Sequence, residues 1–207
     1  EDSSQAEPVL LDLGRILERR SGLELNSSRG DLERLLASAR LAPTRRLANV
    51  ALIVADQDVE GSWKRALGSV QALQDLAESI PLISDPRLRS QLHPKLEGLL
   101  RNFPPQLAGR TATSRSAAEV VRTAAIEALP SIPNYQAESF HLLAELVSSG
   151  RMRVAAIRAV QQLPREKISK QDLFPLVAGI VDHLASLPPR RRTSEDALNA
   201  AKLGREL

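Results

Sequence analysis

Apolar residues recur along this chain at helical spacing, and one pattern is stated twice. Val121, Ala125, Ala128, Leu129 and Ile132 fall at i, i+4, i+7, i+8 and i+11, and Met152, Ala156, Ala159, Val160 and Leu163 repeat the pattern 31 residues later. Arg122 and Arg153, Ala124 and Ala155, Ile126 and Ile157, and Pro133 and Pro164 share that register. A second stripe, Phe140, Leu143 and Val147, returns as Leu173, Leu176 and Ile180 after 33 residues. Two alternating helical stripes with a common period predict stacked helix pairs, none of which buries its apolar face alone.

The same spacing and its punctuation predict the other elements. Residues 1–7 read as a disordered tail, followed by a helix from Pro8 to Arg20 through Val9, Leu13, Ile16 and Leu17. Ser21 to Gly30 reads as a loop. Leu32, Leu35, Leu36 and Ala39 give a short helix from Asp31 to Arg40, stopped by Pro43, and Thr44 is placed to cap the next. Ser62 is the expected cap of a long helix reaching Ile80. Within it, Val70-x-Ala72-Leu73 echoes Ile126-x-Ala128-Leu129 as a worn third copy. Asp85-Pro86 has the form of an N-cap with Pro at the first helical position, while His93-Pro94 is expected to break or kink the helix after it. Residues 103–115 read as a linker, because Ser116-x-x-Glu119 has the form of a capping box. Asn134 and Ser169 are the expected caps of the two second-stripe helices, with Gly150 ending the earlier one. Pro188-Pro189 marks a further break before a last helix in Thr193–Leu207. The organisation expected is one helical unit over 8–207, irregular over 8–102 and regular over 116–207, cut from a longer chain.

Composition sharpens the class. Hydrophobic residues are 43% and aromatics 2%, so Leu, Ala, Val and Ile supply the core, a balance that favours an all-α chain. The 28 basic residues, 23 of them Arg, face 25 acidic ones, and a formal charge of +3 is too nearly balanced to mark a nucleic-acid footprint by itself. Cysteine is absent from these residues, which removes disulfides, thiol nucleophiles and thiolate metal sites from them. No apolar run approaches the length of a membrane span, so no membrane insertion is expected.

Val121-Arg122-x-x-Ala125-x-x-Ala128-Leu129 and Met152-Arg153-x-x-Ala156-x-x-Ala159-Val160 resemble the second helix of HEAT repeats, most closely over 116–187. The resemblance implies an α-solenoid of antiparallel helix pairs. It departs from the family pattern in lacking a regular Pro and Asp in every unit. More loosely, Ile80-Pro81-Leu82-Ile83-Ser84-Asp85-Pro86 and the Arg-rich, Cys-free style resemble the HEAT-like segments of large bacterial extracytoplasmic proteins that carry c-type haem, propeller or cupredoxin domains elsewhere. That resemblance implies an extracytoplasmic setting, with a cytoplasmic one as the alternative.

Candidate chemistry is sparse. His93, His141 and His183 are isolated from one another; His93 reads as a turn residue, His141 as a groove-edge residue and His183 as a structural one. Asp56, Asp58 and Glu60 have Gly61 at the sixth position of a calcium loop but Leu67 at the twelfth, so they read as a solvated acidic turn. No catalytic, metal or cofactor site is expected. Arg122 and Arg153, and the run Arg190, Arg191 and Arg192, are the candidate interaction surface. The function expected is a non-enzymatic scaffold that binds a protein partner or neighbouring domains of its own chain. The alternative is a nucleic-acid-binding module with an Arg-rich face, against which stand the charge balance and the few aromatics.

Overall fold

The structure is a computed structural model that describes residues 22–109, 111–164, 166 and 170–207. The expected tail, the helix from Pro8 to Arg20 and the cap Ser169 lie outside the described residues. Among the described residues the protein is all-helical, with twelve α-helices and no strand. They are α1 (Gly22–Ser27), α2 (Arg29–Ser38), α3 (Ala42–Asp56), α4 (Glu60–Ala66), α5 (Val70–Ser79), α6 (Pro86–Arg101), α7 (Pro105–Ala108), α8 (Ala112–Ala128), α9 (Gln136–Ser148), α10 (Arg153–Gln162), α11 (Lys170–Ser186) and α12 (Glu195–Glu206). Short 3-10 turns occupy Ile80–Leu82, Leu129–Ser131 and Pro189–Arg191.

Several boundaries differ from the sequence expectation, each for a local reason. The loop expected up to Gly30 contains α1 and the start of α2. Thr44 is not a cap: α3 starts at Ala42 with Pro43 in its first turn, and Thr44 is buried within the helix. The helix expected from Ser62 to Ile80 is two helices. Gly68 and Ser69 separate them, and the Ser69 hydroxyl accepts from the Ala72 amide at 3.1 Å, taking the capping role expected of Ser62. Asp85 caps α6 as expected, accepting from the Arg87 amide at 2.7 Å. His93-Pro94 does not break α6; Pro94 sits on its exposed side, where a carbonyl left without its donor can bond to water. The linker 103–115 holds α7 and the first turn of α8, which places Ser116 and Glu119 inside α8 rather than at its start. Asn134 adopts a left-handed φ of 67° and Tyr135 occupies the N-cap position, without a side-chain bond.

The helices pack as consecutive pairs: α2 on α3, α4 on α5, α6 and α7 on α8, α9 on α10, and α11 on α12. The later helix of each pair also packs on the later helix of the next, so α3, α5, α8, α10 and α12 form a continuous row. Among the earlier helices, α9 lies against α11. One buried apolar cluster runs from Val50 in α3 to Leu203 in α12, and a smaller one joins Leu32 to Ala51 and Leu52. Both members of the 31-residue repeat lie in this row. Val121, Ala125, Ala128, Leu129 and Ile132 are buried, as are Ala156, Ala159, Val160 and Leu163, with Met152 at the margin.

The echo expected at Val70 is out of register with the repeat, and a different stretch, at the end of α5, matches the end of α8. Val70–Leu73 open α5, whereas Ile126–Leu129 close α8, so those two stretches are not equivalent. The equivalent of the α8 terminus is the end of α5, 49 residues earlier. There Ile80-Pro81-Leu82-Ile83 matches Leu129-Pro130-Ser131-Ile132: each forms a 3-10 turn with Pro at its second position. The Ile83 amide donates to Ile80 O at 3.1 Å and the Ile132 amide to Leu129 O at 3.1 Å, and Ile80, Ile83, Leu129 and Ile132 are buried. At the end of α10 the Leu163 amide closes on Val160 O at the same distance.

Gly179 marks the crossing of α9 and α11. A Cβ there would stand 2.9 Å from Val147 O and 3.0 Å from Ser148 Cα, both backbone atoms that cannot rotate away. Gly179→Ala is therefore expected to destabilise the protein by about 1–3 kcal/mol through overpacking, read from urea unfolding. A change within about 0.5 kcal/mol would show that the two helices do not approach this closely.

Candidate functional site

A cleft of about 550 Å³ opens among α2, α3, α4 and α5. Its apolar lining comes from Leu36 and Ala37 on α2, Ala66 on α4 and Ala72 on α5. Its polar lining includes a buried ion pair. Arg45 of α3 donates through Nε to Asp75 Oδ2 of α5 at 2.6 Å and through Nη2 to Oδ1 at 3.4 Å. The Arg45 Nη1 donates to Arg40 O at 2.7 Å, so one guanidinium fastens two helices and the α2–α3 connection together. The side chains are 14% and 5% exposed, so each charge satisfies the other in place of water. Across the cleft, Arg65 Nη2 donates to Ser62 Oγ at 2.9 Å, and its Nη1 lies 3.6 Å from Glu33 Oε1.

Asn49 is the unusual member. It lies in the apolar run of α3 between Ala48 and Val50, is 5% exposed, and lines the cleft. Its carboxamide has no hydrogen-bond partner among the described residues. Asn49 was not among the residues expected to act; its signal in the sequence was one amide among the apolar residues of Leu47–Val54.

The expected interaction residues divide into two groups. Arg122 lies over the Phe103 ring at 4.7 Å, and its Nε is buried without a partner. Burial, aided by the nearby Arg151, lowers the pKa of its guanidinium. Arg153 instead donates through Nε to Val147 O at 2.8 Å, satisfying a carbonyl at the end of α9. The two share a sequence register and do different work, and neither makes a carboxylate ion pair among the described residues. Arg190, Arg191 and Arg192 are exposed between α11 and α12, where Arg192 Nε donates to Leu187 O at 3.2 Å.

The acidic turn is dispersed. Asp56 pairs with Arg29 at 2.7 Å, Asp58 accepts from the Glu60 amide at 2.6 Å, and Glu60 takes Lys95 at 2.5 Å. His93 is not a turn residue: it is 2% exposed inside α6, stacked on Tyr135 with centroids 4.3 Å apart and within 3.2 Å of Ser139 Oγ. Burial lowers its pKa. His141 joins three helices at the surface. Its Nδ1 donates to Asp172 of α11 at 2.8 Å, and its Nε2 lies 3.5 Å from Glu145, which also holds Arg101 of α6 at 3.0 Å. The hydrogen bond to Asp172 is the largest cause of its raised pKa. For His183, burial and then Arg153 lower it.

Comparison with protein-family models, with curated proteins and with solved structures finds no match to this chain. Among the described residues, no helix is long and apolar enough to cross a membrane.

Asp75→Ala leaves the Arg45 charge buried and unpaired, and is expected to cost about 3 kcal/mol in urea unfolding. Asp75→Asn, which keeps an acceptor, should cost less. A loss below about 1 kcal/mol for Asp75→Ala would mean that Arg45 finds water instead.

The histidines give opposite pH dependences. His141 is raised above its unfolded value near 6.5, so its stabilisation is complete below that pH and fades as pH rises through the folded value. Exposure limits it to under about 1 kcal/mol. His93 is lowered, so its unfavourable contribution grows as pH falls below the unfolded value. Denaturant midpoints measured from pH 5.5 to 8.5 should lose part of their alkaline decline in His141→Gln. An unchanged profile would remove His141 as its source.

Proposed function

We propose that the chain is a HEAT-like α-solenoid acting as a non-enzymatic protein-interaction module. The row α3, α5, α8, α10 and α12, with a partner helix beside each member, supports the solenoid reading. So does the recurrence of one helix-ending turn in α5 and α8.

The observation that carries the interaction reading is the open face of the last pair. On α11, Phe174 is 82% and Val181 57% exposed, and with the exposed Ala178 and Ala185 they form a second apolar stripe, opposite the buried Leu176 and Ile180. On α12, Ala197 and Ala200 are buried as Ala156 and Ala159 are on α10. Between them Leu198 is 59% exposed, whereas Ile157 in the corresponding place is 2% exposed. A face of this kind marks a contact site for another protein surface. Arg190, Arg191 and Arg192 lie exposed in the connection between α11 and α12, which favours a partner with acidic groups beside an apolar patch. The nucleic-acid alternative draws on five arginines, two of which, Arg122 and Arg153, are engaged within the fold.

A photo-crosslinking residue placed at Phe174 or Leu198 in cells of the source organism is expected to give a discrete protein adduct, while the same residue at Glu119 on α8 gives none. Equal yields at all three positions would defeat the interaction reading. Amide hydrogen exchange tests the array itself, which should open from α11 and α12 inward, with protection highest in α5 and α8. Uniform protection across the helices would remove it.

A further inference from the structure

We propose that the cleft among α2, α3, α4 and α5 binds a short extended peptide segment, and that Asn49 reads its main chain. The site stands apart from the open face of α11 and α12, and it does not depend on the chain being a solenoid.

Asn49 keeps its hydrogen-bonding groups unengaged among the described residues. A polar side chain buried to this extent normally bonds to the protein around it or to water. Asn49 is 95% buried in an otherwise apolar stretch of α3, has no partner among the described residues, and reaches the cleft that it lines. A Leu in its place would be the ordinary solution for helix packing. The amide therefore serves whatever enters the cleft.

The rest of the lining narrows the ligand. Arg45 is held by Asp75 and Arg65 stands near Glu33, so the charged groups are balanced within the wall and the cleft does not select an anion or a cation. Among the described residues no aromatic ring lines it, so they offer nothing for stacking a nucleobase. What remains is the Asn49 carboxamide, the exposed Gln71, a hydroxyl and apolar surface from Leu36, Ala66 and Ala72. The hydroxyl is that of Ser69, which already accepts from the Ala72 amide and keeps its own proton to donate. A carboxamide offers an acceptor and a donor side by side. Its complement is the N–H and C=O of one residue in an extended chain, which face the same way. The volume of about 550 Å³ falls within the range of pockets that hold small ligands and short peptide segments. Small apolar side chains on the peptide would meet Leu36, Ala66 and Ala72.

The test uses the full chain and a phage-displayed random heptapeptide library, counter-selected against Asn49→Leu, with Asn49→Ala as a second variant should Leu disturb the helix packing. Enriched peptides are expected to carry small apolar residues and to bind either variant at least about tenfold more weakly than the wild type, the size of a lost pair of hydrogen bonds. Methylating the backbone nitrogen of one central residue should weaken wild-type binding equally, and should have no effect on binding to the variants. The proposal is overturned if no sequence is enriched over the counter-selection. It is also overturned if enriched peptides bind the variants as well as the wild type, or if no single N-methylation changes their affinity. Crosslinking at Phe174 and Leu198 is indifferent to these outcomes, so the two sites stand or fall separately.

Discussion

The burial of alanine-rich helix faces in one row is the constraint on which the rest depends. Ala124, Ala125 and Ala128 on α8, and Ala155, Ala156 and Ala159 on α10, are at most 7% exposed. Small side chains let neighbouring backbones approach, and the separation of packed helices is set by the residues at the contact. Alanine supplies little apolar area per residue, so no single helix here gains much from its own interface. Stability has to come from length: the cluster from Val50 to Leu203 is built from many modest contacts passed from one helix to the next. With so few aromatic side chains, no large residue can anchor a compact centre, and Phe140 is the one fully buried ring among the largest buried side chains.

Around that row, polar groups tie neighbouring helices together rather than forming a single charged centre. Arg45 with Asp75 joins α3 to α5, His141 with Asp172 joins α9 to α11, and Arg158 with Asp196 joins α10 to α12. The tie between α3 and α5 is the most buried and lies in the wall of the cleft. Its neighbour Asn49 lines the same cleft and ties no helix to another among the described residues.

Periodicity made the helices of the regular part legible, because a stripe such as Val121 to Ile132 survives whatever the helix packs against. Boundaries were less legible, because caps act through geometry that sequence shows only in part. Ser62 and Ser69 are both candidate caps by residue type and each follows a glycine, but Ser62 falls inside α4, which starts at Glu60, while Ser69 stands extended ahead of Val70 with its hydroxyl on the Ala72 amide. His93-Pro94 has the form of a break, yet a proline whose ring faces solvent is tolerated in a helix, and that orientation depends on where the helix lies. The turn shared by α5 and α8 was visible in Ile80-Pro81-x-Ile83 against Leu129-Pro130-x-Ile132, a turn signal rather than a stripe. Of the candidate site little was legible: an asparagine in an apolar run does not show its missing partner until α2, α4 and α5 are placed around it.

The order of packing has a consequence for how the chain reaches its structure. Each helix from α3 onward rests chiefly on its partner and on the pairs immediately before and after it. Contacts of that kind close short loops, which favours rapid folding. During synthesis the chain leaves the ribosome amino end first, at a pace far slower than helix formation. Each pair can therefore settle onto its predecessor while the next is still being made. Of the apolar surfaces described, that of α11 and α12 leaves the ribosome after the others, and no described helix covers it.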